Sequence, residues 1–267
     1  MKTVSDVPQV ERDKAWTTIR PFGPSIIRGQ MSDELQSVLC GLFEQQGAKE
    51  ELTPEEDNAW TLAGNNNREF LITQDLLGEN SQMFQDCINK GASQIYLAHV
   101  NVTWESQKGV ATPKHIELIE ENLNNINLTV GIHTAWGNIS VAGDFNPAHQ
   151  HTGEVSGVGY LKMPNDIERE WLLEDHDPSA GMINFHDGRP NTGAVHTYRV
   201  KPVVGEIFFF PAWLSHSVHP FRSNGERWSF SFNLSIQNLN NDVNLTDLQK
   251  AELRVERKRL LKDFKND

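Results

Sequence analysis

The chain has 267 residues, with 36 Asp and Glu against 24 Lys and Arg, a formal charge of -12. Neutralising a phosphate backbone takes an excess of cations, so this balance argues against nucleic acid as a partner. A mean hydropathy of -0.52 with no long apolar run leaves no membrane span. The 7 Trp and 13 Phe still give enough bulk for a sizeable core.

Cys40 and Cys87 are the only cysteines, and neither falls in a metal or redox spacing. Two free thiols fit a reducing compartment, and the first residues, Met1 to Lys14, hold no apolar stretch of a secretory leader. The expectation is a cytoplasmic protein. The N-x-S/T sequons at Asn101, Asn127, Asn138, Asn233 and Asn244 are then chance matches in an Asn-rich chain.

No internal repeat or low-complexity linker divides the chain, which is predicted to be a single domain, residues 1–267. A helical N-terminal part to about residue 126 precedes a β-rich core over about 127–240 and a C-terminal helix over about 246–264. The clearest helix covers 32–46. Ser32 stands as N-cap, Asp33 and Glu34 in the first turn, and Leu35, Val38, Leu39, Leu42 and Phe43 paint one stripe before Gly47. A second helix is predicted over 80–104, with Phe84, Cys87, Ile88, Ile95 and Ala98 or His99 facing inward. A third starts at Thr112-Pro113, a capping residue followed by proline at the first helical position.

From about residue 127 the period changes to two. Leu128, Val130, Ile132, Thr134 and Trp136 alternate, Ile139 and Val141 follow, and Gly143-Asp144 turns the chain. Val155–Met163, Met182–His186, Val195–Val200, Glu206–Phe210 and Arg227–Ile236 read as further strands between Gly and Pro punctuation. Many short strands after helices point to a mainly β fold, a double-stranded β-helix (jelly roll) braced by helices. The last helix is polar, and its Leu253, Leu260 and Phe264 can dock on the domain or pair two subunits as a homodimer.

The chemistry concentrates in His149-Gln-His151, in His216 and in Arg227-Trp-Ser229. Histidines two apart point the same way in extended chain, and three neutral imidazoles suit Fe(II) with coordination positions to spare. Arg227 lies eleven residues beyond His216, and Ser229 shares its strand face. A guanidinium fork and a hydroxyl together can hold one carboxylate. His219 falls at a Pro-Phe turn, His133 and His176 read as solvent-facing or outer residues, and Arg222 as a loop residue facing solvent. His186 and His196 lie near strands, with no spacing that promotes them. Tyr160, Trp213 and Asn233 are candidates to line the cavity, or else plain core.

The order His-x-His, later His, then Arg-x-Ser resembles the Fe(II)/2-oxoglutarate-dependent dioxygenases. Phe145-Asn-Pro-Ala-His-Gln-His-Thr-Gly, Val155-Ser-Gly-Val-Gly-Tyr-Leu, Phe208-Phe-Phe-Pro-Ala-Trp-Leu-Ser-His-Ser-Val and Arg227-Trp-Ser-Phe-Ser-Phe-Asn look like the signature blocks of one group of 2-oxoglutarate–Fe(II) oxygenases. Pro21-Phe-Gly-Pro resembles that group's first strand. The resemblance implies a jelly roll with iron at its open end and 2-oxoglutarate as cosubstrate. His149 and His216 would be iron ligands, and Arg227 and Ser229 would bind the far carboxylate of 2-oxoglutarate. Most of the superfamily has Asp or Glu where this chain has His151, so His151 is either the third ligand or a hydrogen-bonding neighbour of the metal.

The implied reaction is hydroxylation of a small molecule or peptidyl residue, with release of succinate and CO2. Halogenation is disfavoured, because His151 fills the place a halide would need. Two other readings stay open on the sequence: a three-histidine cupin-type dioxygenase without 2-oxoglutarate, and a non-enzymatic jelly-roll binding module.

Overall fold

Phenylalanines on the strands Glu206–Pro211 and Arg227–Asn238 help to bury the centre of a larger sheet on both faces, and a smaller sheet packs on one of them. The computed structural model describes residues 16–19, 23–58, 64–66, 68–108, 111–124, 126–173, 178–188, 196–238 and 247–263. His176, Val195, Pro21 and Phe22, drawn on above, lie outside these described residues. The chain divides into two compact units, one of residues 9–95 and 130–235, the other of residues 1–8, 96–129 and 236–267.

In the larger unit, the major sheet takes β1 (Trp16–Ile19), β2 (Ile26–Gln30), β3 (Arg68–Leu71), β4 (Leu128–Ser140), β6 (Val155–Lys162), β9 (Glu206–Pro211) and β11 (Arg227–Asn238). Their spatial order is β1-β2-β9-β6-β11-β4-β3. The minor sheet has the order β5-β10-β7-β8, from β5 (Asn146–His149), β7 (Ile183–His186), β8 (Thr197–Val200) and β10 (His216–Val218). The pairings β2–β9, β9–β6, β6–β11, β5–β10 and β10–β7 are all antiparallel. Two antiparallel sheets of this kind make the expected double-stranded β-helix.

The first 126 residues are less helical than their sequence suggests, because β1, β2 and β3 come from that part and widen the major sheet. Ile26 and Ile27 are adjacent and both fully buried, since β2 carries core on both faces. The rest of β2 alternates, with Gly29 buried between exposed Arg28 and Gln30, but five residues are too few to show a period.

Helices cover the outer face of the major sheet. Helix α1 (Asp33–Gly47) starts where Ser32 Oγ accepts the Leu35 N–H at 3.2 Å, and it buries Leu35, Leu39, Leu42 and Phe43. The Phe43 ring packs on Phe70 at 4.9 Å and on Trp228 at 5.7 Å. The first half of α3 (Ser81–Lys108) lies on the same face, with Phe84 5.8 Å from Phe230. Gly91 permits this closeness, since a Cβ there would stand 2.1 Å from the Phe209 ring.

In the smaller unit, α4 (Pro113–Asn124) packs against α6 (Asp247–Asp263). Thr112 Oγ1 accepts the His115 N–H at 3.3 Å and donates to the Glu256 carboxylate at 2.7 Å. One hydroxyl thus caps α4 and ties it to the C-terminal helix. No helix among the described residues is long and apolar enough to cross a membrane.

Candidate metal centre

The period of two along β4 and β11 decides what faces the space between the sheets. On β4, Ala135, Gly137 and Ile139 turn to the outer core, while Thr134, Trp136, Asn138 and Ser140 line an inner cavity. On β11, Arg227, Ser229, Ser231 and Asn233 line it, with Tyr160 on neighbouring β6. The minor sheet contributes His149, Ile183, His216 and Val218. The cavity has a volume of about 680 Å³, within the range of small-molecule sites.

Pairing of β5 with β10 sets His216 opposite His149 in register, and an N–H···O bond from His151 to the Ala212 carbonyl, 2.9 Å, fixes the chain just beyond β5. The three imidazoles converge. Their ligating nitrogens all lie within 4.8 Å of one another, and ring centroids are 4.3 Å apart for His149 and His216. His151 Nε2 and His216 Nε2 stand 3.2 Å apart. Two nitrogens each about 2.1 Å from one cation and at right angles would be about 3 Å apart. No other group of three or more such side chains comes together among the described residues.

Backbone carbonyls orient two of the rings. His149 Nδ1 donates to the Pro147 carbonyl at 2.8 Å, and His216 Nδ1 donates to the Leu214 carbonyl at 2.9 Å. With Nδ1 carrying the proton, Nε2 presents its lone pair, as a metal-binding imidazole must. Burial lowers all three pKa values, that of His151 to about 4 and that of His216 to about 3, with repulsion from neighbouring histidines adding to it at His151 and His216. The rings are neutral at physiological pH and need shed no proton to bind a cation.

Arg227 occupies the buried side of the same cavity and is 5% exposed. Its Nη1 donates to the Gly181 carbonyl at 3.0 Å and its Nη2 to Ser140 Oγ at 3.1 Å. Its Nε is buried without a hydrogen-bond partner. Desolvation pulls its pKa down, opposed by Tyr160 and Asp144, which act through space. A buried guanidinium with a donor to spare is costly unless an anion completes it. A dicarboxylate cosubstrate fits that vacancy in the donor inventory, and three neutral imidazoles fit Fe(II).

The remaining histidines stand apart. His219 Nδ1 bonds Ser179 Oγ at 2.7 Å, and His186 Nε2 bonds Ser217 Oγ at 2.9 Å. His133, His196 and Arg222 are exposed. Trp213 corrects an expectation: its side chain is 59% exposed and lines no part of the cavity. The tight Pro211–Leu214 turn that aims His216 inward throws that ring outward, and only the Trp213 carbonyl is engaged, by Gln150 Nε2 at 2.6 Å.

The sequence reading missed a polar chain behind Arg227. Ser140 Oγ donates to Asn66 Oδ1 at 2.8 Å, and Asn66 Nδ2 donates to Asn138 Oδ1 at 3.0 Å. It also missed Glu69 and Asn58 on the cavity wall. The alternation through Trp136 could have put Asn138 and Ser140 on the inner face; nothing in the sequence pointed to Glu69.

A jelly roll with convergent imidazoles and a buried arginine on one cavity is the arrangement that the resemblance to the Fe(II)- and 2-oxoglutarate-dependent oxygenases implies. Residues 134–233, which carry all of these groups, match the sequence profile of the family described as "Putative 2OG-Fe(II) oxygenase". Comparison with curated proteins gave no match. Among solved structures, the chain is similar to an oxidoreductase of the 2OG-Fe(II) oxygenase family from Burkholderia pseudomallei, at 20% identity and a TM-score of 0.32, over 42% of this chain and 48% of that one. It is similar to a Pseudomonas putida prolyl-4-hydroxylase at 16% identity and a TM-score of 0.40, over 82% and 92% of the two chains. HygX from Streptomyces hygroscopicus, solved with nickel and 2-oxoglutarate bound, is similar at 12% identity and a TM-score of 0.44, over 80% of this chain and 83% of that one.

Proposed function

We propose that this protein is a hydroxylase that oxidises a small molecule or a peptidyl residue while converting 2-oxoglutarate to succinate and CO2. The observation that carries this reading is the single cavity shared by three converging imidazoles and a buried arginine whose Nε has no partner. His149, His151 and His216 would hold the iron. Arg227 would grip the far carboxylate of 2-oxoglutarate, with Ser229 adding a hydroxyl from the same face of β11.

Iron and 2-oxoglutarate, when bound, supply the oxidising power by coupling oxygen reduction to oxidative decarboxylation. The chain's own residues do the rest. The Pro147 and Leu214 carbonyls lock two imidazoles in the ligating tautomer. Ser140 and the Gly181 carbonyl hold the guanidinium in one orientation before any carboxylate arrives, so little ordering is left to be done on binding. Tyr160, buried against Phe208, walls off water on the arginine side, and Asn233, tied to Ser156 Oγ at 2.9 Å, contributes a polar edge.

Anaerobic protein given Fe(II) and 2-oxoglutarate is expected to develop a weak visible charge-transfer band, missing in His216→Ala. Folded, iron-loaded wild type without that band would overturn the reading. Succinate formed only when 2-oxoglutarate is added separates it from a three-histidine oxygenase that needs no cosubstrate.

A further inference from the structure

Glu69 is a carboxylate where a carboxylate is least expected. It is 1% exposed, projects from β3 into the cavity wall, and stands opposite Asn138 in the β3–β4 register. Its Oε2 accepts the Asn58 amide at 3.0 Å, while its Oε1 is buried with no hydrogen-bond partner. Among the described residues that line the cavity, Glu69 is the only acidic side chain and Arg227 the only permanent cation. Two strand spacings separate β3 from β11, so the two groups lie on the order of 10 Å apart.

Arg227 is accounted for by the cosubstrate, and Glu69 is not. Its surroundings hold neutral donors and acceptors already, in Asn58, Asn65, Asn66 and Asn138. What Glu69 adds, and no amide can, is negative charge. Left empty, the position is unfavourable: burial raises the carboxyl pKa to about 8, with Asp57 adding to the rise and Asn58 and Trp136 opposing it. A group held so far from its ordinary range gains most from a ligand that carries the opposite charge. The acidic surface of the whole chain, at -12, draws ligands of that same sign.

Trp136 connects this position to the metal centre. Its ring packs 5.7 Å from that of His151, and its indole N–H reaches toward the Glu69 carboxylate as a weak donor that favours the charged form. A molecule anchored at Glu69 would therefore cross the face of Trp136 on its way to the imidazoles.

We infer that Glu69, with Asn58, forms the substrate-anchoring subsite, and that the substrate carries an amine or guanidine cation which pairs with Glu69 Oε1. This deepens the reading of the cavity as an oxygenase site and rests on it.

The test uses full-length protein loaded with Mn(II), which does not turn over, and with 2-oxoglutarate. Two matched pairs of probes differ only in charge: 4-guanidinobutanamide against 4-ureidobutanamide, and 5-aminopentanamide against 5-hydroxypentanamide. In calorimetric titration one cationic member is expected to bind at least tenfold more tightly than its neutral partner. Glu69→Gln should erase that preference while 2-oxoglutarate still binds. No preference in the wild type, or a preference that survives in Glu69→Gln, overturns the inference. Should Glu69→Gln fail to fold, Glu69→Asp carries the test, because its retracted charge must reduce the preference at least threefold; an unchanged preference again overturns it. The two readings fail separately. Wild type that does not bind 2-oxoglutarate in the presence of Mn(II) sinks the oxygenase assignment, whereas intact 2-oxoglutarate binding without charge discrimination sinks the subsite alone.

Discussion

Arg227 depends on a neighbour for its aim. Ser140 Oγ accepts from its Nη2 and donates its own hydrogen bond to Asn66 Oδ1, and Asn66 is held in turn by Asn138. Ser140→Ala leaves Nη2 short of a partner in a buried place, a loss of about 1–3 kcal/mol. Ser140 is a positioning residue, so the 2-oxoglutarate dissociation constant should rise roughly 5- to 100-fold while iron affinity, followed by Mn(II) titration, stays put. Loss of both together would mean that the substitution had damaged the fold. With His149, His151 and His216 as ligands, three neutral imidazoles would leave the full charge of a dication facing the cosubstrate. His151→Ala should weaken iron binding by at least about tenfold, and His151→Asp, which supplies a ligand of another kind, should restore most of it; equal affinity in His151→Ala and wild type would remove His151 from the ligand set. The imidazoles and Arg227 were legible in sequence because their residue types and order are chemically restrictive. Ser140, Asn66 and Glu69 were not, since serine, asparagine and glutamate occur everywhere and only the pairing of β3 with β4 gathers them.

At the scale of elements, the helices announced themselves through caps and stripes, and α1 and α4 begin at the residues their sequences indicate. The strands of the β-rich half were legible by alternation. Those of the first 71 residues were not, because short strands such as Trp16–Ile19 and Arg68–Leu71 present too few residues to show a period, and β2 opens with two buried isoleucines in a row. The contact of α3 with the major sheet was equally hidden, and it turns on one glycine. Gly91→Ala gains about 1 kcal/mol of helix propensity, but its methyl group would meet the Phe209 ring at 2.1 Å. Overpacking of this kind costs about 1–3 kcal/mol. The steric cost should win, so the urea midpoint should fall; a midpoint that rises would show that α3 can lift off Phe209 freely. Ser32→Ala, by contrast, removes the α1 cap and should cost about 1 kcal/mol without touching 2-oxoglutarate affinity.

The whole molecule carries opposing titrations that should give the metal-free protein a stability maximum at about pH 7. His151 and His216 have folded pKa values of about 4 and about 3, below the ordinary histidine value, and those of His149 and His186 are also lowered, all by burial. Between pH 3 and about 6.5 the unfolded chain therefore binds more protons at these residues, and stability climbs as pH rises. Glu56 and Glu170, both lowered, steepen the loss below about 4.5. Glu69 works the other way. Its folded pKa of about 8 lies above that of an unfolded glutamate, so over that interval the folded state holds the extra proton and stability drops as pH rises. At about pH 6.5 the unfolded histidines are still about half protonated and outweigh it; only above about pH 7 does Glu69 prevail. One proton at about 1.4 kcal/mol per pH unit bounds the part of Glu69 in the decline between pH 7 and 8 at about 1.4 kcal/mol. Urea midpoints of chelator-treated protein at pH 5, 7 and 8 should trace this rise and fall, and Glu69→Gln should gain stability relative to wild type between pH 7 and 8 while keeping the rise. Wild-type and Glu69→Gln curves that stay parallel from pH 7 to 8 would mean that Glu69 is ionised in the empty cavity, with a partner already compensating the charge that the anchoring subsite is inferred to reserve for substrate.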